Sequence, residues 1–234
     1  VRGWTRGVTA TRVAQYLVLV AAFVLPAALM SAALTGQPIP ALGFGSRLSP
    51  AGAASLGVAP GQPLLDVVNR IGAELGFRPY TSGWRPRRDV LMVALALMAG
   101  TAGLPHILIR FFTVPKIRDA RATVAWALLF IAVLYTTAPP LAAFTRVSFI
   151  RAVQGVSHAE APGWFKDWEA TGLVRWEDRN GDGRMQLSGR EGASEVQVDQ
   201  DILVLAAPEI ARLPPWVVGL VAAAALTAAL ASAA

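Results

Sequence analysis

The stretch Val90–Ile109, with the sequence VLMVALALMAGTAGLPHILI, contains no Asp, Glu, Lys or Arg. Three other stretches of at least 20 residues in the 234-residue chain share this property: Val13–Leu34, Ala122–Thr145 and Leu213–Ala234. A helix rises about 1.5 Å per residue, so roughly 20 apolar residues cross the hydrocarbon core of a bilayer, which is about 30 Å thick. We therefore predict an all-α integral membrane protein with four transmembrane helices.

The composition agrees with this class. Hydrophobic residues make up 54% of the chain and charged residues only 15%, whereas a soluble domain carries roughly 25% charged residues. The net charge of +6 does not indicate a nucleic-acid partner, because the basic residues cluster beside the apolar stretches. These patterns argue against a soluble α/β enzyme, a nucleic-acid-binding protein and a disordered chain.

Basic residues also indicate an orientation. Segment 1–12 holds three arginines and no acid, and segment 110–121 holds four basic residues against one acid. Both segments lie on the same side, because two predicted spans separate them, and short basic loops stay cytoplasmic. Arg85, Arg87 and Arg88 lie on the opposite side and argue against this orientation.

The resulting prediction is a multi-pass protein of the inner (plasma) membrane with two long extracytoplasmic loops. The chain starts at Val1 and ends within an apolar stretch, so we expect a fragment of a longer protein. The predicted segments are cytoplasmic 1–12, helix 13–34, extracytoplasmic 35–89, helix 90–112, cytoplasmic 113–121, helix 122–145, extracytoplasmic 146–212 and helix 213–234.

Two of these segments carry further signals. In the first long loop, apolar residues recur at three- and four-residue spacing between Pro63 and Leu75, which predicts an amphipathic helix that caps the bundle or lies on the membrane. In the second span, Gly100, Gly103 and Pro105 weaken helical hydrogen bonding. A broken helix of this kind builds substrate sites in transporters, and a plain kinked packing helix is the alternative.

The second long loop contains Asp178-Arg-Asn-Gly-Asp-Gly183, which fits a calcium-loop pattern. Asp178, Asn180 and Asp182 would supply side-chain oxygens and Arg184 its carbonyl. The closing Glu expected at position twelve is replaced by Gly189, and Glu191 comes two residues late. The alternative interpretation is a turn between two strands.

Three runs of sequence resemble the sodium/solute symporter family. Gly103–Val114 resembles its sixth core helix, Arg6–Tyr16 its fifth, and Val204–Leu220 the start of its eighth. The runs are most similar to the cation/acetate symporter branch. The resemblance implies a partial LeuT-type inverted-repeat transporter bundle, in which the four predicted spans are core helices five to eight and the first core helix is absent.

The resemblance also implies site residues. The sodium ligands of the eighth core helix fall on Ala228, Ala231 and Ser232, and the substrate contacts of the sixth fall on Thr101 and Pro105. Many family members carry a hydroxyl at the position of Ala231 and an aromatic residue at that of Thr101, so this chain departs from the family at both.

The expected function is sodium-coupled symport of a small monocarboxylate such as acetate, by a protein that is not an enzyme. Sodium is the expected coupling ion, calcium is a candidate second ion, and the expected partners are the monocarboxylate and the lipid bilayer, with no nucleic acid. The alternative is a symporter-like membrane sensor domain of a signalling protein. Calcium sensing by the second long loop is a third hypothesis.

Overall fold

The computed structural model of the chain describes residues 2–83, 85–103, 117–190, 192–199 and 202–233. These residues are mostly helical, and one two-stranded antiparallel sheet lies among them. The chain divides into two compact units, one formed by residues 1–80 with 134–234 and the other by residues 81–133.

The described elements are nine helices, two strands and one 3₁₀ turn, His158–Glu160. The helices are α1 (Arg2–Thr35), α2 (Pro40–Phe44), α3 (Pro50–Ser55), α4 (Leu64–Glu74), α5 (Arg87–Ala102), α6 (Ile117–Val153), α7 (Gly163–Ala170), α8 (Ile202–Ile210) and α9 (Pro215–Ala233), and the strands are β1 (Val174–Trp176) and β2 (Val196–Val198).

Two of the described helices are long and apolar enough to cross a membrane. They are Val13–Thr35 in α1 and Arg121–Val153 in α6, and the apolar part of α9, Pro215–Leu230, is shorter. The two long apolar helices agree with a membrane protein. The span predicted at 90–112 falls partly outside the described residues, because the description stops at Gly103 and resumes at Ile117. Four transmembrane helices in a LeuT-type bundle therefore stay a prediction.

The first core of the larger unit lies where α4 packs against α1 and α6. The apolar residues of α4 at three- and four-residue spacing are buried in one cluster with Met30 of α1 and Phe144 of α6. This contact buries one face of the predicted amphipathic helix against protein. Its buried residues are Leu64, Val67, Val68 and Ile71.

One serine connects the end of α1 to the start of α3. The Ser49 hydroxyl accepts a hydrogen bond from the Gly52 N–H at 3.0 Å and lies 3.2 Å from the Leu34 carbonyl oxygen, to which it donates. The Ser49 N–H donates to the same carbonyl at 2.9 Å. The last carbonyls of a helix lack partners within it, so Ser49 satisfies one of them. A Cβ at Gly52 would lie 2.0 Å from the Leu34 oxygen, so only glycine allows this approach.

The second core lies beyond the C-terminal end of α6 and is built around the small sheet. Strand β1 pairs with β2 in the register Val174↔Val198, Arg175↔Gln197 and Trp176↔Val196. Val174, Val196, Phe165 of α7 and Met185 are all buried there. The all-α prediction therefore missed this small sheet. Strands of three residues are too short to show a reliable alternating pattern in the sequence.

Candidate functional site

The predicted calcium loop folds around the carboxylate of Asp178. Its two oxygens accept hydrogen bonds from the N–H groups of Gly181 at 2.7 Å and Gly183 at 2.9 Å. Both glycines have positive φ, at 76° and 68°, and this conformation is open to glycine at little cost. The Asp and Gly positions of the motif therefore act together to turn the chain sharply.

Asn180 and Asp182 continue the same turn. The Asn180 Oδ1 accepts from the Asp182 N–H at 2.9 Å, and the Asp182 Oδ1 accepts from the Arg184 N–H at 2.7 Å. The Asp182 Oδ2 accepts from the side-chain amides of both Gln186 at 2.6 Å and Asn180 at 3.1 Å, whereas its Oδ1 accepts from the Arg184 N–H. Each carboxylate or amide oxygen has two lone pairs, so an oxygen that accepts one N–H can still bind a cation.

A third carboxylate, that of Glu195, lies beside the loop. The Glu195 N–H donates to the Gln186 carbonyl at 2.9 Å, and its own carbonyl accepts from the Glu177 N–H at 3.0 Å. Glu195 thus lies between the segments that enter and leave the loop. One oxygen each from Asp178, Asp182 and Glu195 lie within 4.8 Å of one another.

Glu195 is missing from the residues predicted from the sequence. It lies outside the twelve positions of the loop motif, and the pairing of its neighbours with β1 brings it there. Its only local signal is its position directly before the alternating residues Val196 and Val198. The predicted calcium residues Asp178, Asn180, Asp182 and Arg184 do lie together in one turn.

The structure explains why position twelve of the loop is glycine. A Cβ at Gly189 would lie 2.4 Å from backbone atoms of Gly76 and Phe77, and the Gly189 N–H donates to the Leu75 carbonyl at 2.8 Å. Any side chain at this position would collide with backbone. The closing carboxylate therefore has no room at position twelve.

A largely apolar cleft of about 780 Å³ lies elsewhere in the larger unit. Its polar wall includes Tyr80 and Arg146, and the Arg146 guanidinium stands 4.9 Å from the centre of the Phe77 ring. The Tyr80 hydroxyl donates to the Pro139 carbonyl at 3.1 Å. Burial raises the pKa of Tyr80 above its ordinary value, and the charge of Arg146 partly offsets this.

The predicted transport residues lie on two helices. Thr101 is exposed near the end of α5, in the smaller unit, and its hydroxyl donates to carbonyls of its own helix, Leu97 at 2.7 Å and Met98 at 3.1 Å. Pro105 lies outside the described residues. The positions predicted to bind sodium, 228, 231 and 232, all lie within α9 of the larger unit.

Two named relatives are similar to the chain. An uncharacterized symporter of Cupriavidus necator is 43% identical over 149 residues, which cover 63% of this chain and 21% of that protein. A monocarboxylic acid transporter of Corynebacterium glutamicum is 42% identical over 78 residues, which cover 32% of this chain and 14% of that protein. Transporters are homologues of this chain.

The matched regions support a transporter role and a membrane context for the chain. Neither relative's name favours the sensor alternative. The chain matches about a fifth or less of the length of either relative. No protein-family model matches the chain, and no solved structure matches it either.

Proposed function

We propose that the chain is part of a sodium-coupled symporter of the inner membrane that carries a small monocarboxylate, with acetate as the first substrate to test. The 42% identity to a protein named monocarboxylic acid transporter is the observation on which the substrate class rests. The 43% identity to a protein named symporter supports coupled transport. The two candidate membrane spans agree with both.

In this proposal, α9 supplies part of a sodium site through the carbonyl of Ala228 and the hydroxyl of Ser232. Positions 231 and 232 lie three and four residues after 228 in the helix, so all three are on one face and groups there can approach one ion. Sodium is a hard cation that prefers oxygen ligands. Because alanine has no side-chain oxygen, Ser232 is the one of these three positions that can offer a side-chain ligand.

The substrate would contact α5 at Thr101 and the segment that follows it at Pro105. The Thr101 hydroxyl donates its proton to the Leu97 and Met98 carbonyls. A carboxylate accepts hydrogen bonds and does not donate them, so the hydroxyl must rotate away from its helix to bind substrate. Loss of the hydroxyl should therefore weaken acetate binding without breaking the helix.

Coupling follows from which state each ligand prefers. A ligand shifts a conformational equilibrium only by its difference in affinity for the two states. Sodium bound at α9 would favour the outward-open state, and substrate binding would then allow one half of the bundle to rock against the other. No bond is made or broken in this cycle.

The test is uptake of labelled acetate by uptake-deficient cells that produce the complete gene product, with and without a sodium gradient. We expect sodium-dependent uptake, with the sodium concentration for half-maximal uptake raised about tenfold by Ser232→Ala, which corresponds to about 1.4 kcal/mol of ion binding. The matched control is Thr227→Ala on the same helix, whose hydroxyl donates to the Ala223 carbonyl at 2.7 Å.

Three results would contradict parts of the proposal. Uptake without sodium dependence would keep the substrate and replace the coupling ion. Equal effects of Ser232→Ala and Thr227→Ala would remove Ser232 from the ion site. No acetate uptake by well-expressed protein, with uptake of another solute, would overturn the substrate.

A further inference from the structure

We infer that the 178–184 loop and Glu195 together form a calcium site. The loop supplies Asp178, Asn180, Asp182 and the Arg184 carbonyl, and Glu195 supplies the carboxylate that Gly189 cannot. This inference does not depend on the transported substrate or on the coupling ion.

The decisive observation is that the Glu195 carboxylate is buried and that one of its oxygens lacks a hydrogen-bond partner in the part of the chain that the structure describes. Glu195 is only 4% exposed. Its Oε1 accepts a long hydrogen bond from the Arg179 N–H at 3.3 Å. Among the described residues, no hydrogen-bond donor reaches its buried Oε2. A buried carboxylate oxygen without a partner is costly, and a cation held at this point would compensate the cost.

The carboxylate also points into the acidic cluster. Ligand oxygens of Asp178, Asp182 and Glu195 lie within 4.8 Å of one another. Three carboxylates this close repel one another, and the guanidinium groups of the two arginines in the loop contact other groups. The Arg179 guanidinium contacts Glu177 and the Gly192 carbonyl, and Arg184 donates to the Gly155 carbonyl at 2.8 Å.

The geometry of the backbone indicates that the carbonyl of Arg184 points toward the acidic cluster, as its N–H does. Arg184 pairs with Ser157 in an antiparallel bridge whose hydrogen bonds run through the flanking residues, from Met185 N–H to Val156 and from His158 N–H to Gly183. In such a pair the N–H and C=O of the bridging residue point away from the partner. The Arg184 N–H points to Asp182, so its carbonyl points toward the loop.

The ligand set selects calcium. Five groups can supply five oxygens, or six if Glu195 binds through both, and calcium takes 6–8 oxygen ligands in a flexible geometry completed by water. Magnesium demands a compact octahedron and retains several waters, which a cage of this many protein oxygens does not allow. A dissociation constant of about 10⁻⁴–10⁻³ M is typical of extracellular calcium modules, and the loop lies in the predicted extracytoplasmic segment.

The consequence of binding would be local order. Met185, directly after the loop, exchanges backbone hydrogen bonds with Gly155 and Val156, which follow α6, and is buried in the second core. The Arg184 side chain of the loop also donates to the Gly155 carbonyl. An ion that joins residues 178–184 to Glu195 therefore fixes both ends of the segment between β1 and β2. Because this segment contains Arg179, Arg184 and Arg190, trypsin reports its order directly.

The test is calcium titration of the purified whole chain in detergent, by calorimetry and by the rate of trypsin cleavage within residues 177–195. We expect one calcium bound with a dissociation constant of about 10⁻⁴–10⁻³ M and slower cleavage when calcium is present. Glu195→Gln keeps the side-chain shape and should weaken binding about tenfold or more, because ligand charge sets the affinity of such sites.

Glu177→Gln is the matched control, because it removes an exposed carboxylate of the same segment that lies outside the cluster. It should change the dissociation constant less than about twofold, since it removes no ligand. Asp182→Asn gives a second test if Glu195→Gln fails to fold, as judged by circular dichroism without calcium. The inference is overturned if folded wild-type chain shows neither heat nor protection at about 10 mM calcium, if magnesium protects equally, or if the folded ligand variants bind as wild type does.

Discussion

The imidazole of His158 stacks on the indole of Trp176, with ring centres 4.1 Å apart and planes within 7°. The Nε2 of the same ring lies 2.9 Å from a carboxylate oxygen of Glu169, and the His158 N–H donates to the Gly183 carbonyl at 3.0 Å. The side chain of His158 thus connects α7 to β1, and its backbone N–H bonds to the calcium-loop motif.

His158→Ala should lower the melting temperature of the second core and reduce its near-ultraviolet circular dichroism, because it removes the stack on Trp176 and the bond to Glu169. Aromatic pairs contribute about 0.5–1.5 kcal/mol beyond their buried area. His158→Phe keeps a ring against Trp176 and should lose less stability. An unchanged melting temperature in His158→Ala would show that the stack contributes nothing.

Gly189→Glu should destabilise the chain although it restores the calcium-loop consensus. The new side chain would collide with the backbone of Gly76 and Phe77, and overpacking of this kind costs about 1–3 kcal/mol or more. Calcium affinity should fall or stay unchanged. Gly163→Glu is the control, because a Cβ there meets open space; tighter calcium binding by Gly189→Glu would contradict the assignment of Glu195.

Phe165→Ala should destabilise the second core by about 3–5 kcal/mol, as expected when a fully buried aromatic side chain is removed. Phe165 is 0% exposed, while Leu173 nearby in sequence is 38% exposed. Leu173→Ala should therefore cost far less. Thermal unfolding of both variants in detergent measures the difference, and equal losses would argue against the packing described for α7.

Tyr80 should titrate above its ordinary pKa of 10.0, because burial disfavours the phenolate more than Arg146 favours it. The neutral phenol then contributes stability that is fully present below pH 10 and is lost as the pH rises through the pKa of the folded state. The phenolate absorbance that is lost in Tyr80→Phe gives the midpoint. Arg146→Gln should move this midpoint further up, and a midpoint below 10 would refute the burial of Tyr80.

Local patterns in the sequence predicted those features that depend on neighbouring residues. The three- and four-residue spacing predicted a helix between Pro63 and Leu75, and α4 occupies Leu64–Glu74. The alternating oxygens of residues 178–182 predicted a calcium loop or a turn between two strands. The segment does turn between β1 and β2, and its side-chain oxygens accept from nearby N–H groups. In both cases the signal lies within about one or two turns of chain, although α4 is also stabilised by packing against α1 and α6.

Features that depend on distant contacts were not predictable. Glu195 reaches the loop only because β2 pairs with β1, and the glycine at position 189 follows from a close approach to residues 76 and 77. A single sequence contains no spacing rule for either contact. Strand pairing across 20 residues is decided by the shared burial of Val174, Val196 and Met185.

The double role of Ser49 restricts where the molecule can bend. Its backbone and hydroxyl both bond to Leu34, and its hydroxyl also caps α3 through Gly52. A hinge between α1 and α3 would break these bonds together and open the tight backbone contact at Gly52. If α1 swings during a transport cycle, α3 travels with it as one rigid body, and the pivot lies elsewhere.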